Sequence, residues 1–362
     1  MYIFNFIFPL FYYVILSIAS IPLNKKKHLY LTGISIYMFI FLSCFNYKSF
    51  PDVYYYNVWF DYLKFNSVSD FYEQTLSHIE YGYSYFCKLL TYISSDSRII
   101  YIARSLIFVF CFVYSIKKHS ANYFLSILFL FIFYRIDFTI YVVRQYIGIA
   151  IFLLSINFIL KKQVRGYLLL CILAISFHLS LFIFFPLYWI VNNIKLDKMS
   201  VIFFYSFIGI LFSFLLKGLF FFFANYLGHF MIYLENEDSE NSSFTLILRA
   251  VIVFTLFIIV LKKEILNNKY AKIYFWTALL NLMISISVMG IPSGGRLFYN
   301  YNVFSIFIIP FALMSIKSKN KRIVLTFLLI VLFGYNYISG NINPAYPYYF
   351  LWEHVPDNFV VE

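Results

Sequence analysis

The sequence predicts an all-α polytopic membrane protein with about 12 transmembrane helices, on three observations. Hydrophobic residues fill 62% of its 362 positions and charged residues 12%, against about 25% charged in a soluble domain. Mean hydropathy is +0.80, and apolar runs recur along almost the whole chain. The basic residues, finally, cluster in every second gap between those runs. A water-soluble fold of this size is excluded. With no internal repeat and no linker to divide it, 1–362 reads as a single integral membrane domain.

The spans fall at about 2–21, 29–46, 99–116, 121–136, 139–160, 166–177, 179–194, 200–223, 245–261, 271–290, 297–316 and 322–338. The first has no basic residue before it and Lys25–Lys27 just after it. That is the reverse of a cleavable signal peptide, so it is expected to stay as a span with its N-terminus outside. Lys117 and Lys118, Lys161 to Arg165, Lys195 and Lys198, Lys262 to Lys272, and Lys317 to Arg322 then fall in alternate loops, which the positive-inside rule assigns to the cytoplasm. The acids gather in the other loops, among them Asp52, Asp61, Glu80, Asp96, Asp137 and the run Glu235–Glu240. The +12 net charge therefore reports orientation and calls for no nucleic acid.

This topology puts outer loops at about 47–98 and 224–243 and an outer C-terminal tail at about 339–362. Residues 166–194 are the weak place, since one crossing there would invert every later loop. A short hairpin or re-entrant pair meeting near His178 keeps the parity, with irregular backbone lining a cavity or buried in protein. Pro51 suits a helix start and puts Asp52, Tyr56 and Phe60 on one face. Tyr81 to Ile93 reads as a helix lying in the interface. Cys44, Cys87, Cys111 and Cys171 have no metal-ligand spacing and read as small apolar fillers.

With the lysines accounted for, the arginines carry the information. Arg98, Arg104, Arg135, Arg144, Arg249 and Arg296 map to outer loops or the outer thirds of spans, where a charge needs a partner or a polar cavity. Arg98 and Arg104 read as residues that snorkel to the surface. Asp137, Tyr141 and Arg144 share one helical face at i, i+4, i+7. Arg296 follows a Gly294–Gly295 turn into a helix N-terminus, an anion-binding arrangement. Forked guanidiniums converging on an outer cavity suit phosphate. His178 is the one histidine inside an apolar run.

Taken in order, Asp52–Tyr56, Glu80–Tyr83, Arg144–Gln145 followed by Gly148–Ala150, Phe177–Ser180 and Gly295–Tyr299 resemble the EpsG-type branch of the Wzy proteins, the O-antigen and exopolysaccharide repeat-unit polymerases. The chain is richer in Phe and Tyr than that family leads one to expect. The resemblance implies a glycosyltransferase of the bacterial inner membrane, working on its outer face. Donor and acceptor would be oligosaccharides on polyprenyl diphosphate, with lipid diphosphate as leaving group. Arg144 and Arg296, with Arg249 and Arg135 behind them, would bind the diphosphate. His178, Asp52 and Glu80 are the candidates for the base, His178 first because imidazole titrates near neutral pH. Tyr56, Trp59 and Tyr83 could stack on sugars or belong to the interfacial aromatic belt. No cofactor or metal is expected. Membrane lipid and a chain-length regulator protein complete the expected partners. Rival readings are a lipid-linked oligosaccharide flippase or other multispanning transporter, an O-antigen ligase and a membrane acyltransferase.

Overall fold

The structure is a computed structural model that describes residues 27–44, 51–75, 79–134, 140, 142–226, 239–261, 268–289 and 295–342. Every element among them is helical. The span at 2–21, Arg135, Asp137, Tyr141, Pro292–Gly294 and most of the tail lie outside the described residues.

α1 (Lys27–Ser43) is followed by α2 (Pro51–Phe65), which begins at Pro51 as its missing N–H permits. Lys88 Nζ crosses to donate to the carbonyls of Leu63 and Asn66 at 2.7 and 3.0 Å, satisfying acceptors that the end of α2 leaves open. α3 (Val68–Thr75) opens with a reciprocal cap: Asp70 N–H donates to Ser67 Oγ, and Ser67 N–H donates to the Asp70 carboxylate. α4 (Tyr81–Thr91) follows, so the expected outer loop at 47–98 is largely three helices. α4 is amphipathic: Tyr83, Cys87 and Leu90 are buried, while Tyr81, Tyr85 and Leu89 are exposed.

Next come α5 (Arg98–His119), α6 (Tyr123–Ile132), α7 (Val143–Leu153), α8 (Ile156–Leu160) and α9 (Val164–Phe177). Three described helices are long and apolar enough to cross a membrane: Arg98–His119, Val143–Leu160 and Met199–Gly218. The last belongs to α11 (Met199–Tyr226), whose exposed Phe203, Phe207, Leu211 and Phe214 make an apolar face of the kind lipid covers. The remaining elements are α12 (Ser239–Val260), α13 (Lys269–Ser287), α14 (Gly295–Asn302), α15 (Ser305–Ser315) and α16 (Lys319–Ile342). The straight span expected at 297–316 is instead the pair α14 and α15, bent by 47°. Counted as one, it makes a fourth crossing. Other apolar helices, such as Tyr123–Ile132 and Val164–Phe177, have 10–17 residues. Crossing-length rods among the described residues are thus fewer than the 12 the hydropathy suggested.

Between α9 and α10 (Leu187–Asn193), His178 takes an extended conformation and a 3-10 helix covers Leu179–Phe184. Irregular backbone here is satisfied by protein: the hydroxyls of Tyr167 and Tyr301 donate to the carbonyls of Phe184 and Ile183 at 2.5 and 2.9 Å. The ring of Phe184 stacks on Phe152 of α7 at 3.7 Å.

α7 is buried along its length, and within it Arg144 alone keeps partial exposure. A Cβ on Gly148 would stand 2.8 Å from the carbonyl oxygen of Ala174, and one on Gly82 would stand 2.6 Å from that of Ser176. Glycine at these two positions lets α7 and α4 close onto α9.

One expectation is corrected by this packing. Arg104 does not snorkel: it is fully buried and donates to the carbonyl of Leu42, at the end of α1, at 2.5 Å. Arg98 does stay at the surface, where it pairs with Asp96 at 2.7 Å. The helix bearing Arg144 begins at Val143, after Val142 with φ −93° and ψ 56°; its expected companions on one face, Asp137 and Tyr141, lie outside the described residues.

Candidate active site

Glu80 is the residue before α4, with extended backbone, and its side chain does not cap its own helix. The chain on either side is pinned, since Tyr72 gives its hydroxyl proton to the carbonyl of Ile79 at 2.6 Å and shares a contact with Ser84. The carboxylate is thereby aimed at α7. Arg144 Nη1 donates to Glu80 Oε2 at 2.5 Å, and the backbone N–H of Leu179 donates to Oε1 at 2.8 Å. Both side chains keep some exposure, 18% for Arg144 and 16% for Glu80. The pair is therefore reachable from outside the protein core, yet little screened by solvent.

Arg144 also lies over the indole of Trp59, 5.9 Å from the ring centroid, a cation–π contact. The buried Nε–H of Arg144 has no partner among the described residues. Tyr56 and Tyr83 meet edge to face at 5.7 Å, and at 6% and 1% exposure they are packed beneath the arginine. Of the three aromatics read as sugar-stacking, only Trp59 keeps an intermediate exposure.

The residue after Arg144 faces the other way. Gln145 is buried, and its Nε2 donates to the carbonyl of Arg296 at 2.5 Å and to Asn300 Oδ1 at 2.6 Å. This holds the first turn of α14 against α7 and leaves the Arg296 side chain exposed. Asn300 Nδ2 in turn donates to the carbonyl and hydroxyl of Ser180 at 3.2 and 3.3 Å. Ser180 Oγ lies 2.7 Å from His178 Nδ1.

The contacts close a ring: Glu80 to Arg144, along the chain to Gln145, then Asn300, Ser180, Leu179 and back to Glu80. It joins α4, α7, α14 and the break after α9, and His178 hangs from it. The structure thus brings together Glu80, Arg144, His178, Arg296 and Trp59. Asp52 falls in the first turn of α2, its side chain outside the described residues. Arg249 is placed at the end of α6, where it faces the carbonyl of Phe133 at 3.5 Å and lies over its ring.

Sequence reasoning gave no role to Asn300, Ser180 or the N–H of Leu179. The available signal was a pair of amides, Asn300 and Asn302, inside an aromatic run, where a polar group must find a partner. Among the described residues no three His, Cys, Asp or Glu side chains gather as a metal site requires. The ring holds an acid, an imidazole and two cations, enough for proton transfer beside a developing negative charge.

These features define a helical membrane protein with a polar, arginine-bearing site built where helices begin and break. The chain belongs to the EpsG family, whose model matches residues 28–350, a family of polysaccharide polymerase-type membrane proteins. No curated protein and no solved structure matches it.

Proposed function

We propose that the protein is a multi-pass enzyme of the bacterial inner membrane that joins oligosaccharide repeat units carried on polyprenyl diphosphate, on the outer face, to build O-antigen or exopolysaccharide. The observation that carries this reading is the Arg144–Glu80 pair at the ring that also positions His178 and Arg296. The site lies at the start of Val143–Leu160, and Lys161 and Lys162 follow its far end. By the positive-inside rule the lysines face the cytoplasm and the ring faces out.

In the reaction a hydroxyl of the acceptor sugar forms a bond to the anomeric carbon of the donor as the bond from that carbon to the diphosphate oxygen breaks. The hydroxyl proton passes to a basic side chain of the site. Charge grows on the departing diphosphate, so arginines already in place stabilise the transition state more than the ground state. Arg144 offers a fork, Arg296 an exposed second cation, and Trp59 a ring face for a sugar. Diphosphate binding would draw Arg144 toward its new partner while Glu80 stays tethered by the N–H of Leu179.

Arg144→Ala and Arg296→Ala should leave the protein inserted in the membrane but reduce surface glycan to single repeat units. Gel analysis of lipid-linked and surface glycan reads the outcome. Wild-type chain lengths in both variants would sink the diphosphate role.

A further inference from the structure

The hydrogen-bond ring has a direction, because each end is a backbone group with a single possible role. At one end the carbonyl of Arg296 can only accept, so the atom of Gln145 facing it is the amide nitrogen. The same nitrogen donates to Asn300, which must present Oδ1 to it and therefore presents Nδ2 to Ser180. Ser180 Oγ accepts from Asn300, which leaves its own proton available to His178 Nδ1, 2.7 Å away. At the other end the backbone N–H of Ser180 can only donate, and it too points at His178 Nδ1, at 3.3 Å. Nδ1 therefore faces donors and carries no proton. A neutral imidazole with Nδ1 bare carries its proton on Nε2.

We propose that Gln145, Asn300 and Ser180 are positioning residues that hold His178 in its Nε2-protonated tautomer, so that His178 donates a hydrogen bond to the departing diphosphate while Glu80 takes the proton of the acceptor hydroxyl. The proposal rests on the polymerase reading and deepens it. An imidazole with its proton on Nε2 has no lone pair there to receive another. The same hydrogen-bond ring carries Arg144, paired with Glu80, and holds the backbone of Arg296, two cations that would favour an anionic group nearby. Glu80 is the carboxylate in the ring. Each of its oxygens accepts one described hydrogen bond, from Arg144 or from Leu179, and a carboxylate oxygen has capacity for a second. A carboxylate is a competent base for glycosyl transfer, in which the acceptor hydroxyl turns acidic only as it bonds to a cation-like anomeric carbon. The balance is then complete: one C–O bond forms, one breaks, the proton goes to Glu80, and the diphosphate leaves with its electron pair.

The test uses the full chain in membranes with lipid-linked repeat units as substrate. A glutamine amide can place its nitrogen near the position of Nε2, and an asparagine amide reaches only toward Nδ1. His178→Gln should retain about a tenth or more of wild-type polymerisation, while His178→Asn and His178→Ala fall by about 10²- to 10³-fold, the usual effect of removing one donor to a developing anion. Ser180→Thr should keep activity that Ser180→Ala loses. The activity–pH profile of wild type should show no acidic limb from a histidine base. Nitrogen-15 NMR of histidine-labelled wild type should report Nε2–H at His178, a readout independent of how any variant folds. If His178→Gln is as inactive as His178→Ala, or the labelled ring carries its proton on Nδ1, the donor role is overturned and the polymerase reading stands. If the wild-type chain itself joins no lipid-linked repeat units in this assay, the polymerase reading falls.

Discussion

Glu80 and Arg144 lie 64 positions apart and meet at 2.5 Å, each drawn from the start of a different helix. Neither has its neighbour in sequence as partner. A lysine in place of Arg144 would keep the charge but lose the planar fork that can hold a carboxylate and a phosphate together. Arg144→Lys should therefore insert normally and lose at least 10-fold in polymerisation. A double-mutant cycle with Glu80→Gln should give a coupling of about 1–3 kcal/mol in thermal unfolding, as residues in one ion pair do. Additive losses would mean that the two side chains do not interact.

The close approach of α7 to α9 depends on Gly148. Because the obstacle to a Cβ there includes the backbone of Ala174, no rotamer change can relieve it. Gly148→Ala should cost about 1–3 kcal/mol of stability and also lower activity by moving His178 relative to Arg144. Gly33, with nothing within 4 Å of an added Cβ, is the matched control. Melting temperatures of the two alanine variants check this, with Gly33→Ala expected to be neutral or slightly stabilising.

Arg104 joins α5 to the end of α1 from a fully buried position. Replacing it with Met fills similar space but leaves the carbonyl of Leu42 without that donor. Arg104→Met should destabilise by about 1–3 kcal/mol without changing the glycan chain-length distribution of the protein that remains. A shift in chain length at normal expression would instead place Arg104 in the catalytic apparatus.

Lys162 has a φ of 56°, where a Cβ is unfavourable. It follows α8, and the N–H groups of Lys162 and Gln163 close back on the carbonyls of Ile159 and Phe158, the pattern in which glycine is usual. Lys162→Gly should stabilise the protein by about 0.5–1 kcal/mol, read as a higher melting temperature.

At the start of α3, the hydroxyl and N–H of Ser67 hold the exposed Asp70 carboxyl below its ordinary value. A carboxyl whose folded pKa is depressed contributes stability above its unfolded pKa and loses it as pH falls through the folded one. Amide exchange in Phe71–Thr75 should therefore quicken on acidification below about pH 4, and Asp70→Asn should remove that dependence while leaving other helices unaffected.

Much of the site was legible because charges are scarce. Glu80, Arg144, His178 and Arg296 each stand out against apolar neighbours, and the ring contains or adjoins all four. Their pairing was not legible. Helical periodicity carried back from Arg144 pointed to Asp137, which lies outside the described residues, whereas the carboxylate that Arg144 holds comes from a segment that reads as a loop. Arg104 was read as a surface residue because a snorkelling arginine and one that caps a helix carbonyl have the same local sequence. Asn300 stood out only as one of two amides in an aromatic run and Ser180 not at all, since a short polar side chain acquires its meaning here from a partner more than 100 positions away. At 166–194 charge parity called for a short hairpin or re-entrant pair meeting near His178, and the helix there does end at an extended His178.

The ring also sets an order of events during synthesis. Its contacts span 64, 99, 120 and 155 positions, and the last residue to arrive is Asn300. At about 5–20 residues per second, Ser180 waits roughly 6–24 seconds for its partner to leave the ribosome. Until then Gln145 has neither acceptor and His178 has only the N–H and hydroxyl of Ser180 to orient it. A nascent chain with most of its helices inserted would have no assembled site, so the ring is completed late, after the bundle that contains it.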